Sequence, residues 1–202
     1  MILYIGLSGT MAAGKGLVKS MIEEKYKTLS FSLSDVLRDE ATKRGVEINR
    51  KSLTDIGNEL RKRYGPGVLA DRVLQKLMKM QDGHEIVVID SIRNPGEIFM
   101  LRTTLKKHFF LLFIDTDQKI RYKRTQIRKR EGEIADSFEK FSEINKAELE
   151  GDDERGIQLE KCKRGSNQVI ENNGTVEELR EKVYDIIQKK IDLLKQEQGK
   201  RK

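Results

Sequence analysis

Residues 2–16 read Ile2-Leu3-Tyr4-Ile5-Gly6-Leu7-Ser8-Gly9-Thr10-Met11-Ala12-Ala13-Gly14-Lys15-Gly16, and this stretch decides the fold class. Ile2–Ile5 is a short apolar run that stops at Gly6, the pattern of a buried strand. Beyond the glycine-rich turn, Leu17, Val18, Met21 and Ile22 recur at helical spacing. Glycines between a strand and a helix let backbone N–H groups turn inward around phosphate oxygens, and the helix N-terminus adds partial positive charge. Lys15 then reaches the terminal phosphates. Gly9, Thr10, Met11, Ala12, Ala13, Gly14, Lys15, Gly16 and Leu17 are therefore the candidate nucleotide-binding residues, with Lys15 also a candidate catalytic group. The bland alternative, a strand–helix turn with an exposed lysine, is disfavoured because pattern and context agree. One position departs from the usual loop. Gly16 and Leu17 follow the lysine, so the hydroxyl that normally sits on magnesium is missing. Nucleotide oxygens, waters and Asp90 are left as the candidates to hold that ion.

Outward from this loop, Leu29–Ser32 reads as a brief second strand, Ile86–Ile89 as a β-branched strand closed by Asp90, and Phe109–Ile114 as a strand closed by Asp115. Gln168–Ile170 is a weaker last strand. Helices are expected over Asp35–Arg44, Ser52–Tyr64, Val68–Met80 and Gln118 to about Arg130. In the closing segment, Leu179, Val183, Ile186, Ile187, Ile191 and Leu194 mark an amphipathic helix from Val176 to about Leu194. Apolar strands alternating with amphipathic helices imply an α/β fold, a parallel sheet covered on both faces. Glu131–Lys163 fits no strand and reads as a helical lid. The expected organisation is one domain over 1–194, with a core of 1–33, 84–130 and 164–194. A helical acceptor-binding region covers 34–83, the lid covers 131–163, and a basic flexible tail covers 195–202.

The 202 residues carry 40 Lys and Arg against 33 Asp and Glu, a net charge of +7. Because acids and bases interleave, most of this charge reads as a solvated face rather than a nucleic-acid footprint, and no aromatic stacking motif accompanies the basic runs. The apolar run Phe109–Ile114 falls far short of the ~20 residues a membrane span needs. With no signal-peptide pattern and one cysteine, Cys162, the expected compartment is the cytoplasm, without disulfides or a cysteine metal cluster. A thiol flanked by lysines is open to a lowered pKa, but nothing nearby suggests a thiol reaction.

The remaining candidates are charged. Ser34 or Asp35 can cap the helix that follows the second strand, or join Arg38 over an acceptor phosphate. Asp90 and Arg93 leave the end of a central strand, where open parallel sheets bind ligands. Arg121, Arg124 and Arg128 lie at i, i+3 and i+7, one stripe if the segment is helical. Ile120 and Ile127 flank Arg124 and tilt it toward the buried side, so Arg124 and Arg128 are the leading lid arginines for charge on a transferring phosphate. His84, His108, Asp152 and Asp153 are declined as surface features.

These segments resemble those of P-loop kinases of the nucleoside-monophosphate-kinase type. The nearest likeness is to archaeal dephospho-CoA-kinase-like nucleotide kinases and phage deoxynucleoside-monophosphate kinases. The likeness runs from Met1 to about Gln188. It rests on Gly9–Gly16, Ser34–Arg38, Tyr64-Gly65-Pro66-Gly67, Asp90–Arg93 with Asn94-Pro95-Gly96-Glu97, the lid arginines, and Asn172-Asn173-Gly174-Thr175 with Glu177-Glu178-Leu179. It implies five parallel strands with the phosphate-loop strand in the middle. It also implies ATP on Gly9, Gly14, Lys15 and Gly16, with Asn173 and Gly174 against the adenine. Ser34, Asp35, Arg38 and Arg93 would meet the acceptor monophosphate, Asp90 would lie near magnesium, and Arg124 and Arg128 would bridge donor and acceptor.

The expected function is ATP- and Mg2+-dependent transfer of the γ-phosphate to a nucleoside or deoxynucleoside monophosphate, by a monomer or homodimer with small-molecule partners. One alternative acceptor is dephospho-CoA, whose hydroxyl would need Asp35 or Asp90 as base. The other alternative is a nucleotide-binding regulator or ATPase with little kinase activity.

Overall fold

The computed structural model describes residues 2–80, 83–128, 137–151, 153 and 155–199. In chain order the elements are β1 (Leu3–Gly9), α1 (Lys15–Lys25), β2 (Thr28–Ser32), α2 (Leu33–Lys43), α3 (Arg50–Tyr64), α4 (Val68–Leu77), β3 (Ile86–Ile92) and α5 (Pro95–Leu105). A 3-10 turn over Lys106–His108 leads to β4 (Phe109–Asp115), α6 (Gln118–Arg128), α7 (Phe138–Leu149), α8 (Leu159–Arg164), β5 (Gln168–Glu171) and α9 (Val176–Gly199). The five strands pair in the order β2-β3-β1-β4-β5, every pair parallel, so β1 and its loop lie at the centre.

Side-chain alternation splits the core into two layers. Ile86 and Val88 of β3, Leu112 and Ile114 of β4, and Leu3, Ile5 and Leu7 of β1 pack on Val18, Met21 and Ile22 of α1 and on Leu179, Val183 and Ile187 of α9. The alternate residues Val87, Ile89, Leu111 and Phe113 face α2, α4, α5 and α8. On this second face β1 carries Gly6, where a Cβ would lie 2.7 Å from Phe109 Cζ and 2.8 Å from Ile92 Cδ1. Gly6 is therefore room for those side chains and not the end of the strand, and β1 continues three residues further, to Gly9.

Asp90 likewise does not close β3. Gly6 pairs with Ile89 but Ser8 pairs with Ile92, so β3 carries an extra residue there, and Ser91 takes a left-handed φ of 66°. Such a bulge bends a strand and re-aims its side chains, here at the carboxyl end of the sheet. Helix α5 went unread in the sequence, although Asn94 and Glu97 form a capping box and Pro95 occupies the first turn. The cap of α2 is Ser32, whose hydroxyl accepts the Ser34 N–H, rather than Ser34 or Asp35. At the other end α9 runs to Gly199, past the point where the tail was expected to loosen. Leu194 is buried, and Lys107 holds Glu197 at 2.7 Å.

Of the expected lid, residues 131–136, 152 and 154 lie outside the described residues, and the described part carries α7 and α8. Leu159 and Cys162 of α8 belong to the buried core beside β1 and not to a mobile cover. Burial raises the Cys162 thiol pKa far above its ordinary value, the reverse of what its flanking lysines suggested. No helix among the described residues is long and apolar enough to cross a membrane.

Candidate active site

The turn from Gly9 to Gly14 is built by three backbone positions. Gly9 has φ 142° and passes so close to β4 that a Cβ would meet the Ile114 carbonyl oxygen at 2.3 Å. Ala12 turns at φ 59°, and Gly14 caps α1 at φ 105°. The Ala13 carbonyl is held from behind by Asn172 Nδ2 at 2.8 Å and Thr116 Oγ1 at 3.0 Å, which ties the loop to β4 and β5. Lys15 Nζ folds back to donate to the carbonyls of Gly9 at 2.7 Å and Thr10 at 2.8 Å. Thr10 Oγ1 is buried and finds no hydrogen-bond partner among the described residues, a polar atom an incoming phosphate would satisfy. Gly16 and Leu17 are exposed in the first turn of α1, and a Cβ at Gly16 would meet nothing within 4 Å. These features fit a nucleotide triphosphate on the first-turn N–H groups of α1.

Across the sheet edge, the Asp90–Arg93 segment is held by one enclosed carboxylate. Glu97, with a fully buried side chain, accepts from Arg93 N at 2.8 Å and Asn94 N at 3.0 Å through Oε2. Its Oε1 accepts from Arg61 Nη2 at 2.9 Å. The same corner grips the chain after α7: Asn94 Nδ2 donates to Gly156 O, Gln158 N to Arg93 O, and Arg61 Nη1 to Arg155 O. Asp90 Oδ1 accepts the Ser91 N–H at 2.6 Å. Among the described residues no group of three His, Cys, Asp or Glu could hold a metal ion.

Beside the loop, side chains from distant elements meet around Met11. Arg50, at the start of α3, donates from Nη1 to Met11 Sδ at 3.3 Å and from Nη2 to Glu148 Oε1 at 2.7 Å. Arg93 Nη1 lies 3.9 Å from the same Glu148 oxygen. Arg121 is buried, donates from Nη1 to Met11 O at 3.4 Å and from Nε to Thr116 O at 2.9 Å, and lies 5.6 Å from the Phe141 ring. Burial pulls its pKa below the usual arginine range. Arg50 and Glu148 were not among the sequence candidates for this site, and Arg121, in one stripe with Arg124 and Arg128, ranked behind those two. The Asn49/Ser52 capping box marks Arg50 as a helix start, but nothing local points to Glu148, which lies 98 positions away.

The other sequence candidates are distributed as follows. Ser34 is partly buried at the start of α2, while Asp35 and Arg38 form an exposed pair at 2.7 Å. Arg124 donates to Asn172 O at 3.1 Å and Thr116 Oγ1 at 3.4 Å, the group that braces Ala13, and burial lowers its pKa. The isoleucine argument for its tilt fails: Ile127 is 83% exposed, and Arg121 and Thr125 are the buried residues of α6. Arg128 is exposed at the end of that helix. Asn173 and Gly174 are exposed after β5; Asn173 Oδ1 accepts the Asp117 N–H, whereas Asn172 is the residue that reaches the loop. Asp153 is exposed, as expected of a surface turn; Asp152 lies outside the described residues.

A protein-family model described as an AAA domain matches residues 8–142, which holds the loop, the Asp90–Arg93 edge and α6. A UPF0200 protein of Methanosarcina mazei is 30% identical over 93% of this chain and 95% of its own. The chain belongs to this UPF0200 family. A UPF0200/UPF0201 protein of Archaeoglobus fulgidus is 28% identical over 78% of this chain, which spans only 46% of that longer relative. Among solved structures, TT1252 from Thermus thermophilus superposes with a TM-score of 0.55 at 17% identity, covering 93% of this chain and 97% of its own. A shikimate kinase from Bacteroides thetaiotaomicron superposes with a TM-score of 0.54 at 14% identity, covering 92% and 98%. The architecture of this UPF0200 protein is that of the P-loop kinase fold.

Proposed function

We propose that this UPF0200 protein transfers the γ-phosphate of ATP to the phosphate of a nucleoside or deoxynucleoside monophosphate. The observation that carries this reading is the meeting of Arg50 and Arg121 on Met11, a residue of the nucleotide loop itself, with Arg93 3.9 Å from the Glu148 oxygen that Arg50 also holds. A basic cluster in contact with the loop suits an acceptor that already carries phosphate. In the reaction, Lys15 leaves the carbonyls of Gly9 and Thr10 for the β- and γ-phosphates. An acceptor phosphate oxygen attacks the γ-phosphorus in line, and the bond to the β–γ bridging oxygen breaks as ADP leaves. Guanidinium groups on the loop side neutralise charge that spreads over the transferring group. Magnesium bound with the nucleotide would neutralise its phosphates, with Asp90 as the protein carboxylate at hand. The chain's own contribution is position and charge.

A dephospho-CoA hydroxyl would require a base. Asp35 is exposed and paired with Arg38, and Asp90 Oδ1 is engaged by Ser91 N–H, so the monophosphate acceptor is the better supported reading. ADP release measured with ATP and magnesium against the common ribo- and deoxyribonucleoside monophosphates and dephospho-CoA tests this. Turnover with a monophosphate, with a raised acceptor KM in Arg93→Ala, is the expected result. Turnover with dephospho-CoA alone, or hydrolysis indifferent to acceptor, would overturn it.

A further inference from the structure

We propose that Glu148 is the resident counter-ion of the acceptor pocket and sets its selectivity, yielding its place to a phosphate monoester dianion and excluding singly charged carboxylate acceptors. The proposal rests on the monophosphate-acceptor reading and adds a residue and a rule of exclusion to it. The Glu148 side chain is 11% exposed, and a single oxygen, Oε1, serves both Arg50 at 2.7 Å and Arg93 at 3.9 Å. The Arg50 fork is incompletely used, since its other arm donates to a thioether, Met11 Sδ, at 3.3 Å. A thioether is a weak acceptor for a group built to hold two anionic oxygens at once. Two guanidinium groups therefore share one carboxylate, and a third, Arg121, lies beside them on the Met11 carbonyl. On the same stripe of α7, Asn145 is 7% exposed and its Oδ1 has no hydrogen-bond partner among the described residues.

This is a binding site holding a weaker occupant than it is built for. A phosphate offers three oxygens and up to two negative charges, enough to take both arms of Arg50 and close on Arg93. A carboxylate brings the single charge that Glu148 already supplies, and gains little by replacing it. Discrimination by an internal competitor of matching charge follows. A merely structural ion pair makes the opposite prediction, because removing its carboxylate would loosen the arginines and weaken anion binding.

Calorimetric titration of the intact protein with inorganic phosphate, AMP and gluconate separates these outcomes. In the wild type, phosphate and AMP bind and gluconate does not; equal affinity for gluconate and phosphate would overturn the proposal without any variant. In Glu148→Gln, phosphate binds about five- to tenfold tighter and gluconate binding becomes measurable. Unchanged or weaker phosphate binding in that variant, or no phosphate binding in either protein, overturns it. If Glu148→Gln does not fold, the wild-type comparison decides. Failure of the underlying reading looks different. Tighter phosphate binding in Glu148→Gln without turnover of any monophosphate would remove the acceptor assignment and leave the counter-ion in place. Monophosphate turnover that Arg93→Ala impairs, with Glu148→Gln no tighter, would remove the counter-ion alone.

Discussion

Changing Glu97 to glutamine keeps the shape of the side chain and removes its charge at the corner where the Arg93–Asn94 segment, α3 and the chain after α7 are joined. In the wild type its two oxygens accept from Arg61, Arg93 and Asn94 within 2.8–3.0 Å, with Arg61 Nε a further donor at 3.3 Å, and the Arg61 and Glu97 side chains are 5% and 0% exposed. An amide presents one oxygen and one NH2. Either the Arg93 and Asn94 N–H groups or the Arg61 guanidinium must therefore face a donor instead of an acceptor. Arg61 is also left as an enclosed cation without a counter-charge. Breaking a buried pair on one side costs about 3–5 kcal/mol, and a protein of this size loses about 2–4 °C in Tm per kcal/mol. Glu97→Gln should therefore melt about 6–20 °C below the wild type, and Arg61→Met added to it should recover part of the loss by removing the stranded charge. Urea unfolding followed by circular dichroism gives the free energy directly. A loss below about 1 kcal/mol, the range of an exposed pair, would refute the claim that this ion pair braces the corner. Because Arg93 is anchored through its own N–H, the surviving folded variant should also show a raised acceptor KM.

Three further predictions address the nucleotide loop and the core. In Gly14→Ala, a Cβ would stand 2.3 Å from Asn172 Nδ2 at a φ of 105°, so a strain of about 1–3 kcal/mol and weakened ATP binding are expected by thermal melting and nucleotide titration; wild-type affinity would contradict the brace on Ala13. Gly16→Ser meets nothing within 4 Å and restores the missing hydroxyl, so half-saturating magnesium in the ADP-release assay should fall several-fold with no loss of stability; an unchanged magnesium dependence would show that the hydroxyl is dispensable here. Cys162, buried and with its pKa raised by burial, should resist a thiol reagent at pH 8 in the native protein and react fully in urea; equal rates in both would mean that α8 opens freely.

The nucleotide half of the site was legible because it is local. Gly9–Gly16 are consecutive, and the physical requirement, small residues that allow positive φ and close approach, is written in residue types. Even so, the sequence reading ended β1 at Gly6, since a glycine that makes room for Phe109 and Ile92 looks the same as one that turns the chain. Helix α5 carried its start signal in Asn94, Pro95 and Glu97, and that signal was used only as a family marker. On α6 the flanking isoleucines misled because helix faces are decided by what packs on them. Arg121 is buried because Phe141 of α7 and the Thr116 carbonyl meet it.

By itself the sequence determined the class of fold, the phosphate loop with its missing hydroxyl, and the central strand near whose carboxyl end Asp90 and Arg93 lie. These follow from short-range periodicity and backbone demands that neighbouring residues express together. Only the tertiary structure decided that Arg50 and Arg93 share the Glu148 carboxylate beside the nucleotide loop, that Arg121 lies next to them on Met11, and that Arg38 pairs with Asp35 instead. Charged side chains carry no period, and a contact between residues 98 positions apart comes into being only when α3, β3 and α7 are brought to one end of the sheet.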